Sequence, residues 1–141
     1  DACKEDAKDA IDKVSCRPDF MILIYPVITM TQDFCHTGSR DNLLGANPDK
    51  KLLESMSSEL QVTPQTPPTF LVHTEQDTCV PAENSISFYL ALRKANVPAE
   101  LHVFQKGEHG YNLGEQMPTA SAWPDMCLKW LKDIKLLEGK K

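Results

Sequence analysis

Phe20-Met21-Ile22-Leu23-Ile24-Tyr25 carries an apolar or aromatic side chain at every position and stops at Pro26. A strand with one face in water alternates apolar with polar residues. This run does not, so we read it as a strand covered on both faces, as in a parallel sheet with helices above and below. A second apolar strand, Thr69-Phe70-Leu71-Val72-His73, and a third strand, Glu100 to Phe104, follow it.

Between the first two strands, residues 31–67 show little periodicity. Short helical pieces are expected at Asp41–Leu44 and Asp49–Ser57, the second opened by Asn47-Pro48. The stretch closes on Thr63-Pro64-Gln65-Thr66-Pro67-Pro68, which forbids regular structure; a connection this long is characteristic of a lid or binding loop. After the second strand comes the polar turn Glu75-Gln76-Asp77-Thr78. A helix is predicted from about Pro81 to Asn96, with Ile86, Tyr89, Leu90 and Arg93 on one face. Asn96 suits a left-handed C-terminal position, and Pro98 prevents continuation. The last helix is predicted to start near Ser121, to stack Trp123, Cys127, Trp130, Leu131, Ile134 and Leu137, and to end at Gly139. Residues 1–16 read as a marginal helix or extended leader broken by Arg17-Pro18-Asp19. The order of elements is that of the α/β class, and chemistry is expected where parallel strands end, in loops 74–81 and 105–114.

The 141 residues suffice for one ordinary domain. Fifteen Lys and Arg face 20 acidic residues, a net charge of −5, which argues against nucleic acid as a partner. The longest apolar run is about a third of a membrane-spanning helix, so no membrane partner is expected. The chain begins at Asp1 without a basic-then-apolar leader, as a mature, processed or cut chain would. Its five cysteines contain no C-x-x-C pair, and a Cys3–Cys16 disulfide has no support in the spacing.

Two residues stand out. Asp77 lies just past the second strand, and His109, in Gly107-Glu108-His109-Gly110-Tyr111, just past the third. In a parallel sheet these loops are neighbours, so carboxylate and imidazole can meet. A carboxylate on one ring nitrogen sets the tautomer and leaves the other nitrogen to take a proton from a nucleophile. The competing reading makes Asp77 a turn residue and His109 a surface histidine. His73 and His102 are expected to be packed or solvent-facing rather than metal ligands, with no carboxylate at ligand spacing beside either, and Trp123 and Trp130 to be core. No cofactor is called for.

The segment His73-Thr74-Glu75-Gln76-Asp77-Thr78-Cys79-Val80-Pro81, the stretch Leu90 to Phe104 and the loop Gly107-Glu108-His109-Gly110 together resemble the acid turn, the following helix and strand, and the histidine loop of α/β-hydrolases. Asp19 to Val27 resembles the strand after the nucleophile region. More narrowly, the chain is similar to acetyl xylan esterases and feruloyl-esterase-like enzymes, relatives of the prolyl-oligopeptidase-type hydrolases, over roughly residues 10–137. The resemblance implies that Asp77 is the triad acid and His109 the general base of a serine esterase acting on acetyl or feruloyl esters of polysaccharide. An enzyme meeting polysaccharide outside the cell would be secreted or periplasmic.

One departure bears on activity. That family's serine sits in G-x-S-x-G and precedes the acid and the base in the chain. None of the serines at 15, 39, 55, 57, 58, 85, 87 and 121 is framed in that way. Residues 1–141 are therefore expected to be the carboxyl-terminal portion of a single α/β-hydrolase domain, with an incomplete sheet, the nucleophile upstream and no activity alone. Cys79, expected to point into packing, and Ser39, expected in a flexible loop, are poor substitutes. The bare edge of the Phe20–Tyr25 strand is expected to pair with the upstream segment or with a second copy. A prolyl-oligopeptidase-type peptidase and a non-catalytic α/β interaction fragment are the alternatives.

Overall fold

The structure is a computed structural model that describes residues 9–137. Three parallel strands, β1 (Met21–Ile24), β2 (Thr69–Thr74) and β3 (Ala99–Phe104), form one sheet in the order β1-β2-β3. Leu71 lies level with Leu23 on one side and Leu101 on the other. The helices are α1 (Thr37–Leu44), α2 (Lys50–Met56), α3 (Glu83–Lys94) and α4 (Trp123–Asp133).

The period-2 pleat sorts the strand residues onto two cores. Phe70 and Val72, with partly buried Ile22, Ile24 and Phe104, pack against Trp123, Cys127 and Trp130 of α4. Leu71, with Met21, Leu23 and Leu101, packs against Phe88 and Leu92 of α3 and against Ile28 and Val97. Helices thus cover both faces, as the unalternated apolar runs require. Every residue of β2 is buried, whereas β1 is only half-buried along its length. The two-sided burial expected of Phe20–Tyr25 is complete only for the central strand, because β1 is an edge of the described sheet.

Several local expectations are corrected. The buried face of α3 is Asn84, Ser85, Phe88 and Leu92, while Leu90 is 55% exposed and Ile86 also faces outward. Of the face that Ile86, Tyr89, Leu90 and Arg93 share, only Tyr89 packs partly against the core, because two polar residues take core positions by hydrogen bonding. Asn84 uses its whole amide: Oδ1 accepts from the Ile28 and Thr29 N–H groups, and Nδ2 donates to the Phe34 and Pro81 carbonyls. These bonds fasten the long connection after β1 to the start of α3.

Helix α4 stops at Asp133, short of Gly139, which lies outside the described residues; Ile134 caps it and Lys135 turns left-handed at φ +60°. The second short helix is capped by Asp49, whose Oδ1 accepts from Leu52 N–H, rather than opened by Asn47-Pro48. The first begins at Thr37, capped by His36. The helix considered for residues 1–16 reduces, within the described part, to the single 3-10 turn Ile11–Lys13. Cys3, and with it any Cys3–Cys16 pairing, lies outside the described residues; Cys16 is exposed.

Candidate active site

Strands β2 and β3 are neighbours, so the turns leaving their carboxyl ends are side by side, joined by Glu75 N–H donating to the Phe104 carbonyl at 2.7 Å. Thr74, the last residue of β2, donates its hydroxyl to the Gly107 carbonyl at 2.8 Å. Its methyl group lies where a side chain on Gly107 would begin: a Cβ there would be 2.8 Å from Thr74 Cγ2, and φ is +144°. Only glycine meets both conditions. Gly110, at φ +83° with open space around it, serves the second bend that carries His109 back over the strand ends.

The result is a direct contact. His109 Nδ1–H donates to Asp77 Oδ2 at 2.7 Å, across 32 positions of sequence. Asp77 is 4% exposed and its other oxygen, Oδ1, accepts the N–H groups of Cys79 at 3.0 Å and Val80 at 2.8 Å. Burial alone would raise the carboxyl pKa, but Val80 N–H, His109 and Cys79 N–H together outweigh it and hold Asp77 below the ordinary carboxylate value. The acid is therefore an ionised, fully addressed acceptor.

With Nδ1 committed to Asp77, His109 presents Nε2, which has no hydrogen-bond partner among the described residues. The side chain is one-third exposed, so that nitrogen can be reached from outside. Its ring is walled by Tyr25, edge-on at 4.7 Å between centroids, and Tyr25 in turn meets Tyr111 at 4.9 Å. Tyr25, the residue after β1, is left-handed at φ +41°, while its N–H donates to the Val72 carbonyl. The Tyr111 hydroxyl is buried without a partner among the described residues. Burial raises its pKa, with Tyr25 and Asp77 adding to the effect, so it stays protonated.

The remaining candidates fall elsewhere. His73 and His102 project to opposite faces of the sheet. His102 Nε2 pairs with Glu100 Oε1 at 2.7 Å, so a carboxylate does stand beside it, contrary to expectation. His73 is wholly buried and likewise has a carboxylate near it, Asp77 Oδ2 at 3.3 Å. Among the described residues no cluster of three or more metal-ligating side chains forms. Trp123 and Trp130 are core.

Cys79 is exposed rather than packed, its Sγ 3.7 Å from Nε2 of His36. Ser39 is not in a loop but in α1, its Oγ 2.8 Å from His36 Nδ1. Sequence inspection missed this small cluster, since nothing local links positions 36 and 79. Its thiol faces His36 and not His109. The hydroxyls of Ser39, Ser55, Ser57, Ser85 and Ser87 are each bonded to groups other than His109.

The prolyl oligopeptidase family model matches residues 19–134. Over 126 residues the chain is 35% identical to an acetylxylan esterase of Xylanibacter ruminicola, covering 84% of this chain and 25% of that protein. Over 100 residues it is 47% identical to endo-1,4-beta-xylanase B of Butyrivibrio fibrisolvens, covering 71% of this chain and 16% of that protein. Among solved structures, the acetyl ester-xyloside bifunctional hydrolase of Caldicellulosiruptor lactoaceticus superposes with a TM-score of 0.91 at 45% identity, over 95% of this chain and 49% of that one. The chain thus spans a quarter or less of the curated relatives and about half of this structural neighbour.

Proposed function

Because this chain belongs to the prolyl oligopeptidase family and carries part of an α/β-hydrolase fold, we propose that it supplies the acid and the base of a serine ester hydrolase, Asp77 and His109. Residues 1–141 are then the carboxyl-terminal portion of one hydrolase domain. The serine comes from the segment before them, and the 141 residues alone do not turn over ester. The observation that carries the proposal is the 2.7 Å bond from His109 Nδ1–H to Asp77 Oδ2, with Nε2 facing outward.

In this scheme Nε2 removes the proton of the serine hydroxyl as its oxygen attacks the ester carbonyl. Asp77, already ionised, stabilises the imidazolium that results and keeps Nδ1–H pointed at itself. The imidazolium then returns the proton to the departing alcohol, leaving an acyl-enzyme. Water, deprotonated by the same Nε2, releases the acid and the serine. Neither metal nor cofactor takes part in these steps.

The acyl group we assign is acetyl, or feruloyl, on plant polysaccharide. The acetyl assignment draws on the acetylxylan esterase and the acetyl ester-xyloside hydrolase that the chain resembles. A peptidase of the same family would use the same two residues, and the family's description is what favours that second reading. A non-catalytic fragment would gain from a distant pair, which is not what the geometry offers. Release of acetate from acetylated xylan, and of 4-nitrophenol from its acetate, by the full-length protein should far exceed cleavage of proline peptides. The reverse order of rates would replace the esterase by the peptidase. The unpaired side of β1 is where the upstream segment, or failing that a second copy, is proposed to add a strand.

A further inference from the structure

We propose that His73 is a positioning residue for the acid–base pair: its Nε2–H clamps the turn that holds Asp77 and keeps Oδ2 of that carboxylate directed at His109. The proposal rests on the roles given above to Asp77 and His109.

The sequence places a histidine where the pleat of β2 would ordinarily bury an aliphatic side chain. Leu71 and His73 share a face of the strand, and His73 is wholly buried beneath the first turn of α3. An imidazole in that position is unfavourable unless both nitrogens are paired. Both are. Nε2 lies 2.8 Å from the Val80 carbonyl, which can only accept, so Nε2 carries the proton. Nδ1 is then an acceptor, and it receives the hydroxyl of Ser85 at 2.8 Å, itself wholly buried. The ring is a neutral imidazole with a single tautomer, and burial lowers its pKa against the opposing effects of the Val80 carbonyl and Asp77.

The clamp closes on Asp77 from two directions. Val80 donates its N–H to Asp77 Oδ1 and accepts from His73 with its carbonyl, so one peptide residue is gripped by carboxylate and imidazole together. The same Nε2–H lies 3.3 Å from Oδ2, the oxygen that receives His109 at 2.7 Å. The carboxylate therefore has Cys79 and Val80 on one oxygen and two histidines on the other. It cannot rotate about its terminal torsion without losing several bonds at once. A leucine of similar volume would fill the space and hold none of this. Asp77 and His109 are the titratable groups that act on His73.

The test uses the full-length protein and 4-nitrophenyl acetate. His73→Leu should lower kcat roughly ten- to a hundredfold, the scale on which small misplacements of reacting groups act, with KM changed less than about twofold. His73→Gln puts an N–H donor close to the original Nε2 position and should restore kcat to within about fivefold of the parent. The downfield NMR resonance of the His109 Nδ1–H proton should shift or broaden in the leucine variant and recover in the glutamine variant. A purely structural role would leave that resonance unmoved in folded protein. A folded His73→Leu variant with parental kcat and an unshifted resonance would overturn the proposal.

Should the leucine variant fail to fold, Ser85→Ala decides. It removes one hydroxyl, frees the tautomer of His73, and should lower kcat about threefold or more. Unchanged kcat and resonance in Ser85→Ala would likewise overturn the proposal. Asp77→Asn separates the two levels. If it abolishes turnover while His73→Leu does not, the positioning role alone fails. If Asp77→Asn turns over normally, the acid–base assignment fails and the positioning role with it.

Discussion

Substituting Gly107 with alanine should unseat the histidine loop, and the structure says by how much and through which atom. The new Cβ would stand 2.8 Å from Thr74 Cγ2, with Thr74 Cβ at 3.4 Å and Oγ1 at 3.5 Å. Carbon atoms pack at about 3.5–4.0 Å, so the methyl group is the one serious obstacle. Overpacking of that kind costs about 1–3 kcal/mol. Holding alanine at φ +144° adds a further penalty of about 1–3 kcal/mol. Gly107→Ala is thus expected to destabilise by about 2–6 kcal/mol, or to relax by moving the loop and lose turnover instead.

Thr74→Ser removes Cγ2 alone and keeps the hydroxyl that donates to the Gly107 carbonyl. On the parent background it should cost about 1 kcal/mol. Combined with Gly107→Ala it should recover about 1 kcal/mol or more, a favourable coupling between neighbours. Urea titrations of the four full-length proteins, with 4-nitrophenyl acetate turnover in parallel, measure both outcomes. Two results would refute the reasoning: Gly107→Ala within about 0.5 kcal/mol of the parent at full activity, or a coupling energy of zero.

Two further expectations concern pH and packing. Stability should fall on acidification in two stages. His73, whose folded pKa is lowered, loses its contribution as pH drops below its unfolded value near 6.5 toward its folded one. Asp77, also lowered, contributes above its unfolded value near 3.8 and loses that contribution as pH falls through its folded one. Urea midpoints measured from pH 8 to 3 should show the upper stage flattened in His73→Gln and the lower stage flattened in Asp77→Asn. On α3, Leu92→Ala should destabilise by about 2–5 kcal/mol, because that side chain is wholly buried. Leu90→Ala should stay within about 0.5 kcal/mol, since it faces water. Equal effects at the two positions in thermal or urea unfolding would contradict this assignment of the buried face of α3.

The α/β order was legible because its signals are strong and local: apolar runs ended by proline, and a Trp123-Cys127-Trp130 stripe at helical spacing. The juxtaposition of Asp77 and His109 was legible for a topological reason. Loops that leave the same end of adjacent parallel strands must be neighbours, and the structure has them so. What escaped notice was burial achieved by hydrogen bonding. Hydropathy ranks Asn84 and Ser85 as surface residues, yet each is wholly buried with its polar atoms paired, Asn84 to Ile28 N–H 56 positions away and Ser85 to His73. The same blindness concealed the approach of Cys79 to His36, 43 positions apart. The end of α4 was misjudged because the chain leaves the helix through Lys135 at φ +60°, a non-glycine residue that no C-cap rule singles out.

The account stands most directly on whether His109 and Asp77 work as one unit. In the full-length protein, His109→Ala and Asp77→Asn are each expected to lower kcat/KM for 4-nitrophenyl acetate by about a thousandfold or more, and the double variant to be little worse than the poorer single one. Turnover within tenfold of the parent in His109→Ala, or losses that simply multiply in the double variant, would contradict it.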